Sequence, residues 1–460
     1  MSKLRLTNLT RQIEIGANCY LLEAGDRRIV LDCGAHPKHE GRDSLPQLDH
    51  LSGKHLDAII LSHAHQDHLG SLPVLMRQHP SAPAFMTEPT RQLADVMLHN
   101  SVNVMSKRHE NGEGEAPTFL HREATNCVRR FQSLPLHDRF TLSGERIPYG
   151  ETADVSFQFE DAGHILGSTA VLIEADGRRV LYTGDVNFHN QSLMHGAHLP
   201  EKDLDTVIIE CTRGAVPQPA DFTREKEEER FAGAIREVFA RGGSVLVPVF
   251  ALGKSQELLA MLFTLRKKGL LPECPVYIGG LSTKLSEIHD KLASASHRQH
   301  PGLSLLPAIS PFTISGREVH QQPIRPGRIY ALSSGMMTEH TLSNVIAPHF
   351  LPNPAHGIFF VGYADPDSPA GRLRAAKPGD SFQVAPDIQP ETLRCQVETF
   401  GFSAHGDRES LVDYIQRASP KQVVLVHGDP DAQEWMRQTL SVRVPLTKVL
   451  SAPSGVPLDL

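Results

Sequence analysis

No run of eighteen or more apolar residues occurs in the chain, which excludes a helical membrane span. Its first residues, MSKLRLTNLTRQIEIG, lack the apolar core of a leader peptide, so no secretory signal is expected. There is no C-x-x-C pair. The six cysteines, Cys19, Cys33, Cys127, Cys211, Cys274 and Cys395, are scattered, which argues against a disulfide framework and a thiolate zinc site and for a reducing, cytoplasmic compartment. An excess of positive charge is missing too. With a net charge of −7, no global field draws the chain onto nucleic acid, and phosphate would have to be attracted locally, by bound divalent cations. Repeats, low-complexity tracts and heptads are absent.

What is present is a 460-residue chain, long enough for two to three domains, with 40 % hydrophobic residues for their cores. Histidine stands out at 25 residues, several of them clustered, and imidazole is the commonest protein metal ligand. Residues 18–32 read as a hairpin with its turn at Gly25-Asp26. His55–Ser62 reads as a short buried strand, followed by a loop and then a short helix over Ser71–Gln78, with Pro73 in its first turn and Pro80 beyond its end. Strands are expected at Val155–Glu160, Ala170–Glu174, Arg179–Thr183 and Asp205–Glu210. After Arg213 the pattern changes. Phe231, Ala234, Ile235, Val238 and Phe239 recur at helical spacing, Val245–Phe250 reads as a strand, and Leu258, Met261, Leu262 and Leu265 mark another helix. The expected division is therefore 1–212 for the first part of a layered α/β domain, 213–394 for an inserted α/β domain, and 395–460 for a return to the first.

The chemistry concentrates in LSHAHQDHLG, where His63, His65, Asp67 and His68 fall within six residues just beyond a strand. In such a loop His63 and His65 can point one way while Asp67 and His68 turn toward a second metal; imidazole and carboxylate donors suit zinc. Further ligand types end other apolar strands: His164 in EDAGHILGS, Asp185 in LYTGDVNF and His427 in VVLVHGDP. One alone would more often be a loop-shaping residue. Three of them after an H-x-H-x-D-H loop point to a shared site.

This set, preceded by Asp32 in VLDCG, resembles the metallo-β-lactamase superfamily. Later segments resemble its nucleic-acid-processing branch, the β-CASP nucleases: Glu210 in IIECTRG, His405 in GFSAHGD, His427, and the insert segments VLVPVFALGKSQELL, YALSSGMM and FVGYADPDSPAGR. The resemblance covers nearly the whole chain. It implies an α/β fold, a metallo-β-lactamase αββα sandwich with an inserted α/β β-CASP cap domain. It implies two Zn2+, one held by His63, His65 and His164, the other by Asp67, His68 and His427, with Asp185 bridging. Asp67, His405, Glu210 and Asp32 are the residues expected to serve catalysis: Asp32 orients the site, a water made acidic by two cations attacks phosphorus, His405 is the general acid, and Glu210 orients it. Lys254, Ser333 and Ser334 are the expected substrate contacts. The substrate implied is RNA, single-stranded if the insert caps the zinc site, with a homodimer or a protein partner as a further source of affinity.

Three segments depart from the family pattern. Cys211-Thr212-Arg213-Gly214 replaces Ser-Thr-Tyr-Gly, Thr338-Glu339-His340 replaces a glycine-rich turn, and Ala-Asp-Pro-Asp-Ser-Pro after Tyr363 replaces Gln-x-x-Gly-Thr. These positions lie where substrate backbone would enter, so the substrate channel is expected to differ more than the metal site. Gly253-Lys254-Ser255 is not a P-loop, because Pro248 stands where the first glycine is required. Glu225, Glu227, Glu228 and Glu229 are expected on a solvated helix face, and His36, His39, His109, His121 and His189 at the surface. Two other functions remain open: a DNA nuclease of the same fold, disfavoured because DNA-processing members carry valine at the His427 position, and a catalytically silent scaffold, disfavoured because no ligand is missing.

Overall fold

The computed structural model describes residues 4–319 and 323–460. The chain divides into two compact units. The first comprises residues up to His189, Gly196–Pro217 and His405–Leu460; the second comprises Asn190–His195 and Gln218–Ala404.

The first unit is built on two seven-stranded sheets. One runs in the order Pro457–Asp459, Leu4–Asn8, Tyr20–Ala24, Arg27–Leu31, Ala58–Ile60, Ala84–Met86, Phe131–Ser133. The other runs Lys448–Ser451, Gln422–Val426, Thr206–Glu210, Arg178–Tyr182, Thr169–Ala175, Val155–Asp161, Arg139–Thr141. Period-two alternation aims one set of side chains from each sheet inward. Leu22, Ile29, Leu31, Ile60 and Phe85 of the first thereby meet Phe157, Phe159, Val171, Ile173, Ile208 and Val424 of the second in one buried core. The opposite face of the second sheet, through Leu172, Leu181, Ile209 and Leu425, is covered by Leu411 and Ile415 of helix Arg408–Ala418 and Met436 and Leu440 of helix Pro430–Arg443. Helices Leu72–Gln78 and Glu88–Glu110 belong to the first sheet's side. This is the expected αββα sandwich.

The second unit carries a six-stranded sheet in the order Phe312–Ile314, Val276–Gly279, Ile329–Leu332, Val245–Pro248, Gly357–Phe360, Gln396–Thr399. All its pairings are parallel, so its strands are joined by crossovers, among them the helices Lys254–Lys267 and Gly280–Lys291, while helix Arg224–Ala240 leads into its first strand.

Two boundaries differ from the sequence expectation. Gln396–Thr399 pairs in register with Gly357–Phe360, so the stretch from 395 stays with the insert and the chain returns at His405. The strand reads QVET, with no apolar run to betray it. Asn190–His195 also belongs to the second unit, where the Glu257 carboxylate accepts from the backbone amides of Ser192 and Leu193. Glu228 departs from the expected solvated face: it is buried, and Arg224 pairs with it as well as with Glu257.

Candidate metal centre

Every ligand-type residue singled out in the sequence lies in the first unit. Asp32, His63, His164, Asp185 and His427 follow strands Arg27–Leu31, Ala58–Ile60, Val155–Asp161, Arg178–Tyr182 and Gln422–Val426, and Glu210 ends its own. These strands run the same way within each sheet, so their carboxyl ends bring the residues to one edge of the sandwich.

Backbone contacts hold the histidine loop from both sides. Asn18 N donates to Asp67 O at 2.9 Å, Cys33 N to His68 O at 2.7 Å, and Ala35 N to Gln66 O at 2.9 Å. Gly34 has to be glycine here, since a Cβ would lie 1.6 Å from the Asp67 carbonyl oxygen. Asp185 follows Gly184, which takes φ +52 and packs its open face on Ser62.

The loop then delivers two groups of donors. In the first, Nδ1 of His65 lies 3.1 Å from Nε2 of His63 and 3.1 Å from Nε2 of His164. Asp185 Oδ2 stands 3.4 Å from His63 Nε2 and 3.5 Å from His164 Nε2. In the second, Nε2 of His427 lies 3.2 Å from Asp67 Oδ2, and Nε2 of His68 lies 3.6 Å from the same oxygen. Asp185 Oδ1 stands beside this group, 3.3 Å from His68 Nε2. A tetrahedral ion with bonds of about 2.1 Å spaces its donors by about 3.4 Å, so these separations are those of ligand shells. Three converging imidazole nitrogens cannot all be satisfied by one another's protons, and the buried Asp185 Oδ1 has no hydrogen-bond partner among the described residues. Residues and spacing therefore fit two cations.

The electrostatics follow from burial among mixed charges. Burial would raise Asp67 and Asp185, but His68 and His427 outweigh it and hold both below the usual carboxylate range. Burial, helped by His68, lowers His63, and burial also lowers His65. On His68 burial is outweighed by Asp185, Asp67 and Asp32, which raise it. Bound cations would take the imidazoles as neutral donors.

Around the donors stand residues that hold them. Asp32, fully buried, accepts from Ser62 N and Ser62 Oγ at 2.7 Å and from Tyr182 OH at 2.6 Å, and its Oδ2 lies 2.8 Å from His68 Nδ1. It thus touches a donor's far side and leaves His68 Nε2 for the centre. Glu210 accepts from Val186 N at 2.7 Å and from Thr212 N at 3.3 Å, and both its oxygens lie 3.1 Å from His405 Nδ1. Gly406 N donates to Val186 O, tying the His405 loop to the same residue. Asp185, Glu210 and His405 approach closely enough to form a third donor group, but Glu210 is committed to His405 and two amides. Burial opposes charge on His405; Glu210, then Asp185, outweigh it and lift the imidazole to about 9.

Sequence reasoning missed Asn18, Ser62, Tyr182 and Thr212. Asn18 Nδ2 lies 3.3 Å from His68 Nε2, and Thr212 Oγ1 lies 2.8 Å from His427 Nδ1. Their types carry no metal signal, and only Thr212 stood in a segment already marked. Two histidines expected at the surface have partners: His36 is buried beside Glu14, and exposed His189 lies 2.6 Å from Asp407. Lys254, Ser333 and Ser334 lie in the second unit. Lys254 Nζ donates to the Phe402 carbonyl, Ser334 Oγ lies 2.8 Å from Thr338 Oγ1 and accepts from Thr338 N, and the Ser333 carbonyl accepts from Ser343 N.

Three family models match the chain: the metallo-beta-lactamase superfamily over residues 14–226, the Beta-Casp domain over 255–373, and the Zn-dependent metallo-hydrolase RNA specificity domain over 391–448. Among curated proteins, the transcription termination factor FttA of Methanocaldococcus jannaschii is 30 % identical over 454 residues, covering 93 % of this chain and 67 % of that one. The cleavage and polyadenylation specificity factor 73 of Drosophila melanogaster is 28 % identical, covering 93 % of this chain, which spans 60 % of that relative's length. A ribonuclease of Thermus thermophilus is 29 % identical, covering 97 % of this chain and 98 % of that one. A crystal structure of a protein of unknown function from Enterococcus faecalis shares the fold, with a TM-score of 0.58, 14 % identity, and coverage of 99 % of this chain and 100 % of that one.

Proposed function

This chain belongs to the metallo-β-lactamase superfamily and, within it, to the β-CASP nuclease branch, and on that premise we propose that it is a zinc-dependent ribonuclease hydrolysing phosphodiester bonds of single-stranded RNA. One observation carries the reading: the two oxygens of Asp185 face two separate donor groups, with His405 on Glu210 beside them. His63, His65 and His164 would hold one Zn2+, Asp67, His68 and His427 the other, with Asp185 shared. Nitrogen and oxygen donors without cysteine suit zinc. When bound, such a pair supplies Lewis acidity, lowering the pKa of water and neutralising phosphate charge.

The chain's own residues do the rest. Asp32 fixes the ring of His68, with Ser62 and Tyr182 fixing Asp32 in turn. Glu210 takes Nδ1 of His405 and stabilises its protonated form, and the imidazolium would give a proton to the leaving oxygen. RNA is favoured over DNA by His427 and by the relatives named as ribonucleases. Six free cysteines support a reducing, cytoplasmic setting.

The deciding experiment incubates purified protein with 5′-labelled and 3′-labelled RNA, with matched DNA, and with the blunt duplex. Cleavage of the RNA strand, slower cleavage of DNA and little of the duplex are expected, and the two labels separate internal cuts from end-degradation. No RNA cleavage with zinc bound would overturn the assignment. Equal cleavage of duplex and single strand would overturn the strand preference.

A further inference from the structure

The turn after Glu210 holds an arginine that the chemistry above does not use. Its backbone is pinned on several sides. Cys211 N donates to His427 O at 3.0 Å, Gly214 N to Cys211 O at 2.9 Å, and Val216 N to Arg213 O at 3.0 Å. A Cβ on Gly214 would lie 2.4 Å from the Ala432 carbonyl oxygen, so helix Pro430–Arg443 packs directly on the turn. Thr212 spends its hydroxyl on metal donor His427. Arg213 comes next, half-buried, where the family pattern has tyrosine.

A guanidinium carries five donors in a rigid fork that matches the oxygens of a phosphate. Among the described residues the Arg213 guanidinium makes no hydrogen bond and no ion pair within 4.0 Å, although burial pulls its pKa down and it feels the charges of Asp407 and Glu210. Neither carboxylate is available to it. Asp407 is engaged by His189 and by the amides of Glu409 and Ser410, and Glu210 by His405, Val186 N and Thr212 N. His189, raised by its bond to Asp407, adds a second positive charge nearby.

We propose that Arg213 is a substrate-binding residue whose fork takes the nonbridging oxygens of the phosphodiester next to the scissile one, on the leaving-group side. The class of ligand follows from the donor geometry, since a phosphate offers two coplanar oxygens to a guanidinium. The side follows from chain position, since Arg213 stands beside Glu210, which orients the proposed acid His405. The inference rests on the nuclease reading above, and it makes this substitution the point at which the chain reads its strand differently from members carrying tyrosine.

The test compares wild type, Arg213→Gln and Arg213→Lys on a single-stranded oligoribonucleotide and on bis(4-nitrophenyl) phosphate, a diester with no neighbouring phosphate. Arg213→Gln should raise KM for the oligoribonucleotide about ten- to hundredfold with kcat little changed. It should leave the small diester unaffected and lower the slope of log(kcat/KM) against log salt by about 0.7, the loss of one single-strand phosphate contact. Arg213→Lys should restore the slope but only part of KM, because an ammonium keeps the charge and loses the fork. An unchanged KM and slope in Arg213→Gln overturns the proposal, and so does an equal loss on both substrates, which would mark a structural role. Wild type that fails to cleave the oligoribonucleotide overturns the nuclease reading instead. Anisotropy of the labelled oligoribonucleotide then decides Arg213 alone, with equal Kd for wild type and Arg213→Gln counting against it.

Discussion

Both carboxylate oxygens of Glu210 lie 3.1 Å from Nδ1 of His405, and the carboxylate is itself fully buried and held by two backbone amides. A histidine held this way is oriented from behind and kept charged, while the donor groups sit on other residues. His405→Ala should therefore retain bound metal and lose turnover by about 10²–10⁴-fold, the usual worth of a positioned acid or base. His427→Ala should instead lose metal from one site. Metal analysis beside single-turnover rates separates the two, and equal metal loss in both variants would remove the distinction.

Asp185 offers one oxygen to each donor group, so its loss disturbs both. Asp185→Asn is expected to abolish cleavage and lower metal content at both sites, with the far-ultraviolet circular dichroism unchanged because the strand cores do not use it. Near-wild-type turnover with two metals bound would refute the shared role.

Freshly purified protein should contain close to two zinc ions per chain, and chelation should remove both metal and activity. The donor set is seven residues with no thiolate. Absence of transition metal after purification, with no uptake on titration, would contradict it.

Tyr182 OH donates to Asp32 at 2.6 Å within a fully buried network, and Asp32 in turn meets His68. Tyr182→Phe should lower stability by about 1–2 kcal/mol and weaken metal at the His68 site by about 10–100-fold. Competition with a zinc chelator reads the second effect. Unaltered metal affinity would show that Asp32 needs no help from the tyrosine.

In the second unit His289 is buried in helix Gly280–Lys291, its Nδ1 2.7 Å from the Leu285 carbonyl oxygen, and burial pulls its pKa down to about 4. The unfolded chain, near 6.5, binds the proton first, so stability is full above 6.5 and falls as pH drops from 6.5 toward 4, by on the order of 3 kcal/mol. Hydrogen exchange of this helix, corrected for intrinsic rates, should show that loss in wild type and a flatter profile in His289→Gln. Matching profiles would refute the assignment.

Most of the architecture was legible along the chain. The hairpin turning at Gly25-Asp26, the strands leading to His63, His164, Asp185, Glu210 and His427, and the helices around Leu75 and Leu262 follow from alternation, helical period and turn residues, which are local signals. The seven residues that the structure groups as candidate donors were singled out for the same reason: they are ligand types set in loops that follow apolar strands. The strand Gln396–Thr399 was not, because its place depends on a partner strand and its own residues are polar.

The sequence by itself therefore determined which side chains stand at the ends of which strands, since strand period and turn chemistry act over a few residues. Only the tertiary structure decided how they meet. It placed Asp185 with one oxygen toward each donor group and set His68 against Asp32 and His427 against Thr212. It also left Arg213 half-buried, its guanidinium without a hydrogen bond among the described residues. Those relations join residues up to 360 positions apart, as between Asp67 and His427, and no local periodicity encodes them. They arise when two sheets pack their apolar faces together and the carboxyl ends of their strands converge, which is a consequence of burial over the whole unit.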